Sequence, residues 1–203
     1  MSERVAVVDY GAGNLRSAAR ALAAAGAANV DVTADPARIA SADRIVLPGV
    51  GAFAQCINAL RGATGIEAAL SDAVRRRQVP FLGICVGMQL LATEGHEHGV
   101  HQGLGWLPGK VTRLQPDDLD LKIPHMGWNH VTAANDSGMA EGDAYFVHSY
   151  RFDPDDAADV RATSDHGGVF PAIVARGNIT GVQFHPEKSQ SYGLAFLKAW
   201  LTA

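Results

Sequence analysis

The first half of the chain alternates short β-branched runs with alanine-rich helical patterns, and this alternation limits the possible folds more than any other feature of the sequence. Strands separated by helices usually pair in parallel, because each helical connection crosses back over the sheet and covers one face. We therefore predict an α/β fold with a doubly wound, mostly parallel sheet flanked by helices. The predicted strands are 4–9, 30–33, 44–47 and 79–84, and the predicted helices are 14–25, one or more within 52–77, and about 86–93.

The pattern changes from Leu104 onward, where short apolar runs are separated by Gly, Asp and Pro turns. Such runs favour antiparallel strands and hairpins, which predicts an antiparallel extension in the second half of the chain. The sequence has no internal repeat and no low-complexity linker, so we expect a single domain over residues 1–203. The predicted elements are strands at 110–114, 145–148, 160–163, 172–176 and 179–184, and an amphipathic helix at 189–201.

The chain carries a modest charge, with 17 Lys and Arg against 21 Asp and Glu among 203 residues. Without a basic run, there is no electrostatic reason to expect nucleic acid or an anionic membrane as a partner. The longest nearly apolar stretch, 81–92, is shorter than the roughly 20 residues that a membrane helix needs. The chain begins without the apolar core of a signal peptide, and we expect a cytoplasmic protein with reduced thiols that acts on a small substrate.

A candidate nucleophile is Cys85, in the motif G-I-C-V-G at 83–87, where a predicted buried strand meets a helix. Glycines flank a nucleophile in such a tight turn because larger side chains would clash there. The amino end of the next helix would favour the thiolate, and the Val86 N–H could receive a developing oxyanion. The alternative is a buried structural cysteine, which is how we interpret Cys56, because its helical run has no flanking glycines and we assign it no role.

A thiol nucleophile needs a base, and His185 is the best placed of the eight histidines. It follows a predicted strand, and Glu187 lies two residues further on. Because residues i and i+2 of an extended backbone project to the same side, we expect the Glu187 carboxylate to orient the imidazole and to stabilise its charged form. The sequence thus predicts a triad of Cys85, His185 and Glu187.

Two other patterns suggest binding sites but are incomplete. The His-rich segment 96–101 lacks the H-E-x-x-H spacing, because the position four after His96 is Val100. We expect a surface loop there and no metal. The G-A-G sequence at 11–13 has Arg16 where a dinucleotide fingerprint has its third glycine, and no G-K-[ST] motif is present, so we predict no cofactor.

The order of the motifs resembles that of the class I, or triad, glutamine amidotransferases, which share P-G-V-G at 48–51, G-I-C-V-G-M-Q at 83–89 and G-V-Q-F-H-P-E at 181–187. Three more motifs narrow the resemblance to the glutaminase subunits of imidazole glycerol phosphate synthase, an enzyme of histidine biosynthesis: D-Y-G-A-G-N at 9–14, P-H-M-G-W-N at 124–129 and Y-F-V-H-S-Y at 145–150. The resemblance extends from Val5 to the last predicted helix.

This resemblance implies that Cys85 attacks the carboxamide carbon of glutamine, that His185 protonates the departing ammonia, and that water then hydrolyses the glutamyl thioester. Glu187 would hold His185 in place. The remaining implied roles are an oxyanion hole at Val86, Gly49, Val50 and Gly51, glutamine binding by Gln89, His148, Ser149 and Tyr150, and a partner interface at Asn14, Trp128, Asn129, Tyr145 and Lys188.

The same resemblance implies a partner subunit. Because the sequence shows no candidate site for a phosphorylated acceptor, ammonia would pass to a (β/α)₈-barrel cyclase in a heterodimer, which makes imidazole glycerol phosphate and aminoimidazole carboxamide ribonucleotide. A second interpretation is a stand-alone cysteine hydrolase of γ-glutamyl substrates or a cysteine peptidase, although the motifs at 10–14 and 124–129 argue against it. A third is a catalytically silent regulatory subunit, which the intact triad disfavours.

Overall fold

The computed structural model describes residues 3–118, 120–134 and 137–203, and these form an α/β fold with two β-sheets. The larger sheet has nine strands among these residues. From one edge to the other they are β2 (Asn29–Thr33), β1 (Arg4–Val8), β3 (Arg44–Gly49), β4 (Phe81–Cys85), β13 (Ile179–Val182), β12 (Val169–Arg176), β11 (Val160–Asp165), β8 (His125–Ala133) and β9 (Gly142–His148).

The direction of the strands divides this sheet into two halves. The strands β2, β1, β3, β4 and β13 are parallel to one another, whereas β12, β11, β8 and β9 continue the sheet with antiparallel pairing. The predicted α/β class and the predicted antiparallel extension are therefore confirmed. A smaller sheet packs beside this one and contains β10 (Tyr150–Pro154), β7 (Gly109–Arg113), β5 (Glu94–Gly95) and β6 (His101–Gln102).

Helices cover the parallel half of the sheet in two groups. α1 packs against α6, while α2 and α3 pack against α4. Since the central strands between the two groups are buried on both faces, their sequences are almost continuously apolar. The bounds are α1 (Leu15–Ala24), α2 (Pro36–Ala40), α3 (Phe53–Gly62), α4 (Ile66–Ser71), α5 (Val86–Gln89) and α6 (Gln190–Thr202).

Several elements differ from the prediction, and the strands β5, β6 and β10 are among those that were not predicted. Helix α2 was not predicted, although Asp35 caps it by accepting a hydrogen bond from the Ala37 N–H at 2.8 Å. Helix α5 ends at Gln89 rather than near residue 93, because the carbonyl groups of 90–92 accept hydrogen bonds from the N–H groups of 104–106 instead. Strand β8 was also missed, since its P-H-M-G-W-N sequence does not alternate in the usual way for a strand.

No helix in the part of the chain that the structure describes is long and apolar enough to cross a membrane.

The junction of β3, β4 and α5 depends on Gly87. A Cβ atom at this position would overlap the Leu47 carbonyl oxygen of β3. We expect Gly87→Ala to lower the free energy of unfolding by about 3 kcal/mol or more, because the overlap is with backbone that cannot move aside easily. Urea unfolding measures the change.

Gly62→Ala is the matched control, since a Cβ at this α3 position meets open space. It should raise the free energy of unfolding by up to about 1 kcal/mol through higher helix propensity. Equal stability of Gly87→Ala and the unmodified protein would contradict the packing described here.

Candidate active site

Cys85 occupies the tight turn between β4 and α5 that the sequence predicted. Its backbone has φ +55° and ψ −114°, a strained conformation with positive φ that L-residues adopt at a cost of roughly 1 to 3 kcal/mol. Glycine on either side makes the turn possible: a Cβ at Gly83 would lie 2.5 Å from the Gly87 carbonyl oxygen. The thiol is therefore held at the carboxyl end of β4, where ligands of parallel sheets bind.

His185 and Glu187 form the contact that the sequence predicted. Nδ1 of His185 lies 2.9 Å from Oε1 of Glu187, and both side chains are only 2% exposed. The reason given for the contact was wrong, however. Glu187 lies in the 3₁₀ turn Pro186–Lys188 and not in extended backbone, so it is the turn that folds the carboxylate back toward the imidazole.

The backbone of His185 is fixed by β9 and by the start of α6. Its N–H donates to the Tyr145 carbonyl at 2.9 Å, and the Ser189 hydroxyl donates to the His185 carbonyl at 2.7 Å. The same hydroxyl accepts the Tyr145 N–H at 2.9 Å. Because two of these hydrogen bonds connect the segment to β9 and the third closes the turn on itself, the backbone that carries the imidazole has a defined position.

Burial alone lowers the pKa of His185, but the interactions with Cys85 and Glu187 outweigh it and raise the pKa to about 10. An opposite charge on either side thus favours the protonated imidazole. Nε2 of His185 makes no hydrogen bond to any described residue, so its proton is available to a substrate atom. This is the state that a general acid needs.

A cavity of about 300 Å³ opens beside Cys85, a size at the lower end for small-molecule sites. Cys85, His185 and seven of the eight predicted oxyanion and glutamine-binding residues line it, while Glu187 lies behind His185. The lining residues are Val50, Gly51, Cys85, Val86, Gln89, Glu97, Pro124, Val147, His148, Ser149, Tyr150 and His185.

Gly49 is the one predicted oxyanion residue outside this lining. It packs beneath the turn, where an added Cβ would lie 2.5 Å from the Gly87 nitrogen. Cys56 is buried on α3, and its sulfur lies 3.3 Å from the Val50 carbonyl oxygen. The cysteine to which we assigned no role therefore supports the P-G-V-G segment from behind.

Two glutamine side chains connect the cavity wall to the nucleophile. Nε2 of Gln89 donates to the Tyr150 carbonyl and to Oε1 of Gln183, both at 3.0 Å. Nε2 of Gln183 in turn lies 3.7 Å from the Cys85 sulfur. With its nitrogen used in this way, Gln89 presents its amide oxygen to the cavity as an acceptor.

Sequence reasoning missed Gln183 and Glu97. Gln183 belongs to a motif that we quoted, but only the three-dimensional contact with Cys85 gives it a role. Glu97 comes from the His-rich loop and lines the cavity, while its carboxylate accepts the Phe53 N–H at 2.7 Å. Nothing in the local sequence indicates that this loop folds back over the start of α3.

Three of the five predicted interface residues lie together. The rings of Trp128 and Tyr145 are 6.1 Å apart, and Nζ of Lys188 lies 5.6 Å from the Tyr145 ring. Asn14 precedes α1, which packs against the turn that carries Lys188. Asn129 instead turns inward and hydrogen-bonds within the chain.

Among residues 3–118, 120–134 and 137–203, no group of three or more His, Cys, Asp or Glu side chains is arranged to hold a metal ion. In the His-rich segment, His96 pairs with Glu94 at 2.8 Å.

Comparison with protein families identifies the class of this protein. The family model described as glutamine amidotransferase class-I matches residues 6–201. The chain therefore belongs to the class-I glutamine amidotransferases, as the resemblance predicted. The structural comparisons agree on the fold: a solved structure described as a glutamine amidotransferase has a TM-score of 0.75 at 20% identity, and covers 98% of this chain and 99% of its own.

Comparison with curated relatives identifies a smaller group within this family. A protein of Zymomonas mobilis subsp. mobilis named imidazole glycerol phosphate synthase subunit HisH is 58% identical, with 98% of this chain and 96% of that protein covered. Proteins with the same name from Caulobacter vibrioides and Rhodospirillum rubrum are 52% and 51% identical, with 98% of each chain covered. Within its class, the chain thus belongs to the HisH subunits.

The pair of His185 and Glu187 generates a direct prediction. Glu187→Gln keeps an oxygen that can accept the Nδ1–H but removes the negative charge, so the pKa of His185 should fall. We expect glutamine hydrolysis to slow by a factor on the order of 10² to 10⁴, the usual contribution of acid–base catalysis. Steady-state rates and an NMR titration of His185 test both effects, and an unchanged rate would contradict the role of Glu187.

Proposed function

We propose that this chain is the glutaminase subunit of an imidazole glycerol phosphate synthase, in which it hydrolyses glutamine to glutamate and supplies the ammonia to a (β/α)₈-barrel cyclase. The observation that carries the proposal is the buried 2.9 Å contact between His185 and Glu187 beside the cavity that Cys85 also lines. Membership of the HisH subunits supports both the reaction and its place in histidine biosynthesis. A cytoplasmic location stays a prediction from the sequence.

In the first half of the reaction, the Cys85 thiolate forms a bond to the carboxamide carbon of glutamine. The carbonyl oxygen becomes an oxyanion that the Val86 N–H and the segment 49–51 receive. His185 gives its Nε2 proton to the amide nitrogen, the C–N bond breaks and ammonia leaves. The product on the enzyme is a glutamyl thioester.

In the second half, His185 is neutral and acts as the base. Nε2 takes a proton from water as the water oxygen attacks the thioester carbon. The C–S bond then breaks, which regenerates Cys85 as the thiolate and releases glutamate. Glu187 keeps the imidazole in one orientation through both halves and stabilises it whenever it is charged.

The cavity lining suits an amino acid with a terminal amide. The amide oxygen of Gln89 can accept a hydrogen bond, and the backbone of 148–150 supplies further donors and acceptors. Glu97 brings a carboxylate that could pair with the α-ammonium group. These groups are the basis for placing glutamine here.

Ammonia needs an acceptor, and the described residues that line the cavity include no Lys or Arg that would hold a phosphorylated acceptor. This supports an acceptor site on another polypeptide. The outer side of β8 exposes two large apolar residues, Met126 at 63% and Trp128 at 49%, which suits a protein interface. A stand-alone γ-glutamyl hydrolase loses support, since the relatives are named as subunits.

Cys85→Ala tests the division of labour. In the complex with the cyclase, it should reduce glutamine-dependent synthesis by a factor on the order of 10⁴ to 10⁶, while synthesis from added ammonium salt continues. Gel filtration of the variant shows whether the complex still assembles. Loss of both activities in an assembled complex would overturn the assignment of acceptor chemistry to the partner.

A second prediction concerns activation by the partner. Gly51 has φ +103°, and Gly49 and Gly51 both allow the peptide groups between them to rotate. The contact of Cys56 with the Val50 carbonyl holds that peptide group in one orientation. We expect the free chain to hydrolyse glutamine slowly. The loaded complex, in which the cyclase holds its phosphorylated acceptor, should be faster by about 10² to 10³, the factor that one oxyanion donor contributes. Steady-state glutaminase rates of the free chain, the empty complex and the loaded complex give the answer. Equal rates in all three would rule out such a switch.

A further inference from the structure

A row of polar side chains from the neighbouring strands β8 and β9 lies behind the segment 148–150, which is proposed to bind glutamine. Nδ2 of Asn129 lies 3.2 Å from Nε2 of His125, and Nδ1 of His125 lies 3.0 Å from Nε2 of His148. Nδ1 of His148 then lies 2.9 Å from the Tyr150 carbonyl oxygen. Asn129 and His125 are on β8, and His148, the direct neighbour of His125 in the strand register, ends β9.

The direction of these hydrogen bonds is set at both ends of the row. At one end, Oδ1 of Asn129 accepts the His130 N–H at 2.8 Å and Nδ2 donates to the Asp165 carbonyl at the end of β11, which fixes the orientation of the amide. At the other end, the Tyr150 carbonyl can only accept, so His148 must carry its proton on Nδ1.

The protons between the two ends follow from this arrangement. Nε2 of His148 is an acceptor, and His125 must therefore carry its own proton on Nδ1 and accept from Asn129 with Nε2. Protonating either imidazole would place two donors against each other. Burial, with the neighbouring charge of His166, lowers the pKa of His125 to about 4, in agreement with two neutral rings.

The Tyr150 carbonyl is where this row meets the cavity. It accepts hydrogen bonds from His148 at 2.9 Å and from Gln89 at 3.0 Å, so both of its lone pairs are used. The side chain of Gln89 and the backbone of 148–150 both line the cavity. An interaction that fixes the position of this carbonyl therefore also fixes the Gln89 side chain and the backbone of 148–150, both of which are proposed to bind glutamine.

We propose that His125 and Asn129 are positioning residues for glutamine, which act through His148 and the Tyr150 carbonyl and touch no substrate atom themselves. The inference deepens the proposed function and rests on it. The series of hydrogen bonds that runs from Asn129 through His125 and His148 to the Tyr150 carbonyl holds the segment 148–150 and Gln89 in the geometry that binds glutamine. Its loss should weaken glutamine binding more than it slows the chemistry at Cys85.

Packing is the competing explanation for His125, because its ring also stacks on His166 with centroids 4.1 Å apart. Two substitutions separate packing from donation. His125→Leu fills the site without a donor, whereas His125→Asn is smaller but places an amide nitrogen where Nδ1 was. If His125 acts as a hydrogen-bond donor, His125→Asn should restore the glutamine binding that His125→Leu loses. If His125 acts by packing, the larger Leu should preserve glutamine binding better than the smaller Asn.

The experiment measures KM and kcat for glutamine in the complex with the cyclase. We expect His125→Leu to raise KM about tenfold, the value of about one hydrogen bond, with a much smaller change in kcat, and His125→Asn to restore most of the KM. His130→Gln is the matched control on the same strand, since this side chain is exposed and lies outside the row. A parental KM for His125→Leu, or an Asn variant no better than Leu, would overturn the inference.

A second measurement needs no variant and no activity. Long-range ¹⁵N–¹H spectra of histidine-labelled protein should show His125 and His148 neutral, with both protons on Nδ1. A proton on Nε2 of either ring would contradict the inference even if the protein is active. If the unmodified complex fails to hydrolyse glutamine at all, it is the proposed function that fails, and the spectra still decide the direction of the hydrogen bonds.

Discussion

The strained, positive-φ backbone of Cys85 is the constraint on which the rest of the site depends. A residue with φ +55° is stable here only because Gly83 and Gly87 let the end of β4, the start of α5 and the end of β3 approach one another without side chains between them. This turn puts the thiol at the carboxyl edge of the sheet and leaves the first N–H groups of α5 beside it. The nucleophile and one oxyanion donor are therefore products of a single local geometry.

The other members of the triad reach this place through the order of the strands. β13 pairs in parallel with β4, with Val182 beside Ile84, so the two strands end at the same edge of the sheet. The chain that leaves β13 brings His185 to the cavity, and the 3₁₀ turn that follows folds Glu187 against it. The interactions of His185 with Cys85 and Glu187 favour the protonated imidazole and outweigh the opposing effect of burial on its pKa.

Much of this arrangement is predictable from the sequence. The apolar runs and the glycine spacing around Cys85 gave the parallel sheet and the turn, because both depend on local sterics and burial. The contact of His185 with Glu187 was predicted between the correct residues but for an incorrect backbone conformation. Spacing alone does not distinguish an extended segment from a 3₁₀ turn. Gln183 and His125 lie in motifs that we quoted, but their roles, like that of Glu97, come from contacts between segments that are distant in sequence.

In the proposed mechanism Cys85, and no other residue, carries the glutamyl group. The most direct measurement is labelling of the cyclase complex with an electrophilic glutamine analogue, followed by mapping of the modified peptide by mass spectrometry. We expect a single adduct on Cys85, suppressed by excess glutamine and absent from Cys85→Ala. An adduct on Cys56, the other free cysteine, or an adduct that persists in Cys85→Ala would contradict it.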